Sequence, residues 1–284
     1  MKSILLTLAT FLSIFSITAQ DLEKSTLWKI SGNTLEKPSY LFGTIHLTCN
    51  ASFDEDVKKA LDDTTQIVLE IDMDDPGLQQ KMMGNMFMKN GKTLNDFVSE
   101  EDYKTLETFF LEYLGMPLKT MLNIKPFFLS TMLYPKMLDC PIQSYELELV
   151  KIAKTQDEDI KGLETIEDQL KVFDTIPYQD QINDLLKTAK DKLKYDKENF
   201  AKMLELYSDE DISELLKMVV EDKNNSFGKY QDVFLNNRNK NWISKIKSLA
   251  TDQPTFFAVG AGHLAGEEGV INLLRKAGFT ITAI

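Results

Sequence analysis

Two histidines, His46 and His263, are the only imidazoles in the 284-residue chain, and each closes the same phrase, Gly43-Thr44-Ile45-His46 and Gly260-Ala261-Gly262-His263. Imidazole titrates near neutrality and serves as metal ligand, base or acid. A glycine three residues earlier suggests a turn whose backbone path a Cβ would resist, so that the ring is directed back over the end of a strand. Taken alone, either histidine reads as a hydrogen-bonded core residue; the repeated phrase makes the pair a candidate site. Glu70 interrupts the apolar run Ile67-Val68-Leu69-Glu70-Ile71, and Glu164 follows Asp159-Ile160-Lys161-Gly162-Leu163 in the same way. A carboxylate at the end of a buried strand is costly unless a cation or donors compensate it. Two imidazoles and two carboxylates match the ligands taken by Mn, Fe, Co or Zn ions. Arg238, in Asn236-Asn237-Arg238-Asn239-Lys240-Asn241-Trp242, has two readings: a solvated cation on a helix, or a guanidinium that pairs Glu70 or Glu164 or stabilises a developing oxyanion.

These residues need strands to carry them. Leu27 to Ile30 and Tyr40 to Phe42 read as a hairpin around Gly32-Asn33, closed by Pro38, and Asp54 to Leu61 as a short helix with acidic residues in its first turn. Ile67 to Ile71, Asp159 to Glu164 and Thr255 to Val259 read as further strands, the first and last apolar enough to be covered on both faces. Gly269 to Lys276 predicts a helix ending at Gly278, and Phe279 to Ile284 a last strand, which makes the C-terminus a βαβ unit. Between about 76 and 250 the pattern is mostly helical, with apolar stripes at Ile142, Tyr145, Leu149, Ile152 and at Ile182, Leu185, Leu186, Ala189, Leu193. The Met82 to Phe87 cluster reads as core packing. The expected fold class is α/β: a mostly parallel central sheet opened by a β-hairpin, with a large helical insertion before the C-terminal βαβ unit. In such sheets ligands bind at the carboxyl ends of the strands, where both histidines are expected.

Composition limits the rest. Residues 1–19 carry Lys2, an apolar run from Ile4 to Ile17 and a small-residue exit, which reads as a secretory signal peptide; residues 20–284 then form a single domain, exported to the periplasm or outside the cell. No later segment has the length of a membrane span. A net charge of -12 repels phosphate backbones, which argues against nucleic acid as a partner, and 43% hydrophobic content supports an ordinary core. Cys49 and Cys140 in an oxidising compartment favour one disulfide, worth about 4–5 kcal/mol on the chain-entropy model, over the alternative of Cys49 as a thiolate ligand.

The blocks Tyr40-Leu41-Phe42-Gly43-Thr44-Ile45-His46, Gly162-Leu163-Glu164-Thr165 with Glu167 and Gln169, and Val259-Gly260-Ala261-Gly262-His263-Leu264 resemble the TraB/GumN family, which includes the Tiki metalloproteases. The resemblance spans the chain after its first residues, in order. It implies paired Gly-x-x-His motifs and an acidic residue at the active site, here His46, His263 and Glu70, and a metal-dependent protease activity of the Tiki kind. One departure is notable: relatives place Gly-x-Asp where this chain has Ser144-Tyr145-Glu146, which leaves open whether Glu146 inherits an acidic role.

The chemistry expected is hydrolysis of a peptide or small-molecule substrate. His46, His263 and Glu70 are the metal ligands for a divalent ion (Mn, Co, Zn or Fe), and Glu70, Glu164 and Arg238 are the catalytic candidates. No Gly-x-Ser-x-Gly nucleophile motif occurs. Two rivals stay open. One is a metal-independent, esterase-like enzyme in which a histidine is the base, Glu70 orients it and Arg238 binds an oxyanion. The other is a binding protein for a peptide, haem or metal that uses the same pocket without turnover.

Overall fold

A computed structural model describes residues 22–284, so the expected signal peptide lies outside the described residues. Six strands form one sheet in the order β4-β3-β5-β2-β1-β6. They are β1 (Leu27–Ser31), β2 (Ser39–Thr44), β3 (Gln66–Leu69), β4 (Asp159–Gly162), β5 (Phe256–Gly260) and β6 (Thr280–Ala283). β2, β5, β3 and β4 pair in parallel, and β1 runs antiparallel to both β2 and β6. The chain passes from β5 through a helix to β6 across the two strands that separate them, as a βαβ unit with the hairpin inserted.

The apolar runs are continuous because both faces of the sheet are covered. Side chains alternate with period two: Val68, Phe257 and Val259 face one core, Ile67, Leu69, Phe256 and Ala258 the other. Helix α1 (Glu55–Asp62) and α5 (Tyr145–Gln156) close the second core with Val57, Leu61, Leu149 and Ala153. Asp54 caps α1, its side chain accepting from Val57 N, and Ser144 caps α5 by accepting from Leu147 N. The first core is closed by α9 (Ile212–Glu221), α10 (Asn237–Asp252) and α11 (Val270–Lys276), through Leu215, Trp242, Ile246, Ile271 and Leu274.

The long helical stretch is therefore divided. α5, α9 and α10 return to the sheet, whereas α3 (Glu100–Leu114), α4 (Pro126–Thr131) and α7 (Tyr178–Asp191) bury Leu106, Phe110, Leu129, Ile182 and Leu185 in a core of their own. α6 (Ile166–Asp174) begins two residues beyond Glu164 and packs on α2 (Leu78–Gly84). α8 (Lys194–Ser208) links α7 to α9. The Met82 to Phe87 cluster departs from the reading as core: Met83 and Phe87 are half or more exposed, and α2 buries none of its residues. Composition alone suggested burial there, but no neighbouring element covers that side of a seven-residue helix. Ile142 likewise lies exposed, ahead of the first turn of α5.

Cys49 and Cys140 form a disulfide across 91 residues of sequence. It joins the loop after His46 to the segment that leads into α5. A backbone bridge between Thr48 and Gln143, and a hydrogen bond from Ala51 N to the Gln143 side chain, run beside it.

Candidate functional site at the carboxyl edge of the sheet

Four neighbouring parallel strands deliver one residue each to the same edge. Glu70 follows β3 directly, His46 lies two residues beyond β2, and Glu164 two beyond β4; His263 ends a tight turn after β5. Backbone pairing continues past the strands, with Glu164 N donating to Glu70 O at 2.9 Å, so the two glutamates leave the sheet side by side.

Both glycines of the repeated phrases serve close approach, and the expectation of a special backbone path is corrected. Gly260 has φ -53° and ψ 134°, a conformation open to any residue. A Cβ on it would stand 3.3 Å from Glu70 Oε1, 3.7 Å from His46 Nε2 and 3.7 Å from His263 Cδ2. The missing side chain leaves the space on which both rings and the carboxylate converge. Gly43 lets β2 meet the turn after β5, because a Cβ there would fall 2.6 Å from Leu264 Cδ1.

Arg238 stands at the centre. It enters from the first turn of α10, which follows a π-helical turn at Asp232–Asn236 whose Phe234 carbonyl accepts from Nη1 at 3.0 Å. Nη2 donates to Glu70 Oε2 at 2.6 Å and to Glu164 Oε1 at 2.5 Å, Nε donates to both Glu164 oxygens, and Nη1 reaches His263 Nε2 at 3.0 Å. Trp242, one turn further along, stacks under the guanidinium at 4.8 Å and donates Nε1 to Glu164 Oε2 at 3.3 Å. Gln169 on α6 donates to Glu70 Oε2 and Glu164 Oε1, and Gly260 N donates to Glu70 Oε1 at 2.8 Å. The buried carboxylates are thus compensated by one cation and fixed donors.

The local field separates the groups. Burial works towards protonating Glu70, but Arg238 above all, with the His46 charge and the Gly260 amide, overcomes it and holds the carboxyl well below the usual carboxylate range. Burial raises Glu164 against the opposing pull of Arg238, and Glu70's charge adds to the rise. His263, 6% exposed, is lowered to about 3 by burial, helped by Arg238 and His46, and is neutral.

His46 differs. Packing around it opposes protonation, but the hydrogen bond and charge of Glu146, aided by Glu70, raise it to about 9. Its side chain is nevertheless 68% exposed, so solvent screens that pair. Nδ1 lies 2.8 Å from Glu146 Oε1, which also accepts from Thr44 Oγ1 at 2.7 Å, while Ser144 holds Oε2.

Sequence reasoning named His46, Glu70, Glu164, Arg238 and His263, and all five meet here. It assigned no role to Glu146, Asn239, Gln169 or Trp242. The acidic position in the first turn of α5 was the one signal for Glu146, and Gln169 lay inside a quoted block. Glu167 of that block is not at the site; it approaches Lys81 at 3.9 Å.

The chain matches the TraB/PrgY/gumN family over residues 26–283. It belongs to that family. Among curated relatives, it is 21% identical to "Metalloprotease TIKI1" of Danio rerio over 325 aligned positions, covering 93% of this chain and 64% of that protein. It is 30% identical to "Metalloprotease TIKI2" of Danio rerio over 86 positions, covering 29% of this chain and 17% of that one. The chain thus spans less than two thirds of the length of these relatives. No solved structure matches it.

Membership raises the question of a metal. Among the described residues, no group of three or more His, Cys, Asp or Glu side chains is already assembled to hold one. The donor chemistry and the space nevertheless fit. Glu70 Oε1, His46 Nε2 and the Cδ2 edge of the His263 ring face the gap before Gly260, with His263 Nε2 3.7 Å from Glu70 Oε1, and His46 carries the carboxylate-backed Nδ1 common among metal-ligating histidines. Arg238 occupies the side of the gap nearest His263, and the exposed His46 ring is the one with room to move.

Proposed function

We propose that this chain is an exported hydrolase that depends on a divalent metal and acts on peptide bonds. The observation that carries the reading is the convergence, over the bare Cα of Gly260, of His46 Nε2, the His263 ring and Glu70 Oε1 at the carboxyl edge of a parallel sheet. Support also comes from family membership and from the distant relatives named as metalloproteases. The expected signal peptide and the disulfide are consistent with export.

His46 and His263 through Nε2, and Glu70 through Oε1, are the residues that would hold a Mn, Co, Zn or Fe ion. Such an ion supplies Lewis-acid chemistry, activating water and polarising the scissile carbonyl. Glu70, kept ionised by its neighbours, contributes negative charge at any working pH. Arg238 is the donor that follows negative charge developing on the substrate. As its Nη2 turns from Glu164 towards that charge, Glu164 loses its strongest partner, and its raised proton affinity lets it accept a proton from the attacking water. Trp242 and Gln169 keep Glu164 aimed meanwhile.

The test pairs elemental analysis of the purified protein with a peptide-cleavage screen, with and without chelator. His46→Ala and His263→Ala are each expected to lose metal uptake and cleavage together. Full cleavage in a metal-stripped double variant would overturn the reading. It would favour the metal-independent alternative, which draws on one observation: Arg238 already fills the cation's place beside Glu70, Glu164 and His263.

A further inference from the structure

Asn239, next to Arg238 on α10, has one of the most closely determined side chains in the protein. It is 1% exposed. Its Nδ2 donates to the carbonyls of Glu268 at 2.8 Å and His263 at 3.3 Å. Because both amide hydrogens go to carbonyl oxygens, Oδ1 must be the atom turned to the His263 ring, 2.5 Å from Nδ1. A flipped amide would set its oxygen against two carbonyl oxygens. A carbonyl oxygen only accepts, so Nδ1 carries the ring's hydrogen. On the far side of the ring, Arg238 Nη1 points at Nε2 from 3.0 Å, and a guanidinium only donates, so Nε2 is bare. Two contacts from adjacent residues of one helical turn demand the same tautomer.

We propose that Asn239 is a positioning residue, whose amide oxygen locks His263 as the Nδ1–H tautomer and keeps the Nε2 lone pair turned to Arg238 Nη1, 3.7 Å from Glu70 Oε1. Its amide hydrogens tie the same helix to the turn that carries His263 and to the approach of α11, so ring and backbone are held by one side chain. Glu146 makes the equivalent contact to His46 Nδ1 from the other wall, with a carboxylate in place of an amide. The use made of the lone pair rests on the hydrolase reading; the tautomer does not.

With only two histidines in the chain, an imidazole nitrogen spectrum of the ¹⁵N-labelled full-length, metal-free protein holds two patterns, and His46→Gln leaves the one that belongs to His263. The wild type is expected to show a protonated Nδ1 and a bare Nε2. Asn239→Asp keeps an acceptor at Nδ1 and is expected to retain the Nδ1 proton. Asn239→Leu removes the acceptor and is expected to lose it, with a 10- to 100-fold weaker affinity for added Mn²⁺ or Co²⁺ by calorimetry. A merely structural Asn239 would lower the melting temperature in both variants and leave the tautomer alone. The proposal is overturned by a bare Nδ1 in the wild type, by loss of the Nδ1 proton in the aspartate variant, or by retention of that proton in a folded leucine variant. Should the leucine variant not fold, the wild-type and aspartate spectra still decide. Expected tautomers without any metal binding by the wild type would sink the metal-dependent reading and leave the role of Asn239 standing.

Discussion

His46 and His263 end the same four-residue phrase, yet the two walls of the site treat them in opposite ways. On the β2 side the imidazole stands in solvent, its Nδ1 faces a carboxylate from α5, and its loop is joined covalently to the approach of that helix. On the β5 side the ring is buried, its Nδ1 faces an amide from α10, and a guanidinium meets its other nitrogen. One ring is drawn towards charge and the other kept neutral. A local motif therefore sets where an imidazole emerges from a sheet, while its protonation is decided by the charge and burial of whatever packs against it.

The largest expected effect is on the exposed wall. Replacing Cys49 and Cys140 together with serine is expected to cost about 4–5 kcal/mol in urea unfolding, because the bridge closes a long loop. A cost below about 1 kcal/mol would mean that the His46 wall is held by its noncovalent contacts alone, as the His263 wall is. On the buried wall, Arg238→Gln leaves Glu70 and Glu164 close together without a cation and is expected to cost about 3–5 kcal/mol. If the variant unfolds at the same urea concentration as the wild type, the guanidinium is not what compensates those carboxylates.

Between the walls, Gly260→Ala tests whether the gap is what joins them. The backbone there accepts alanine, so the melting temperature is expected to move little. The new methyl would crowd Glu70 Oε1 and fill the space between it and His46 Nε2, and metal affinity is expected to fall at least about tenfold, or 1.4 kcal/mol. Unchanged affinity would show that the two rings do not share an ion there.

The smallest effect is electrostatic. His46 is raised to about 9, so the stability from its pairing is full below 6.5 and lost as pH rises through about 9. Glu146 is lowered to about 2, so its share is present above 4.5 and lost as pH falls towards that value. The pair therefore contributes most between 4.5 and 6.5. His46→Gln is expected to cost more near pH 6 than near pH 9.5, by less than about 1 kcal/mol, since the ring is mostly exposed. A larger cost at the alkaline end would reverse the contrast drawn between the two rings.

The strands were legible because a sheet covered on both faces demands unbroken apolar runs, as in Ile67 to Leu69 and Phe256 to Val259. Glu70 stood out as a charge at the end of such a run, Glu164 by the same place after the shorter, mixed edge strand Asp159–Gly162, and the repeated phrase singled out both histidines. Glu146 did not stand out, since a glutamate in the first turn of a helix is ordinary, and its partner lies 100 residues away. Asn239 reaches His263 across 24 residues, and Gln169 reaches Glu70 across 99; no periodicity records such pairings.

What the sequence by itself determined is the kind of scaffold and the edge of it that the candidate residues reach, because strand patterns and chain order follow from burial and local geometry. What only the tertiary structure decided is the state of each group: which carboxylates share Arg238, which ring keeps its lone pair, and which stays wet. Those depend on distances of a few ångströms between residues far apart in the chain, and electrostatic energies change steeply over that range.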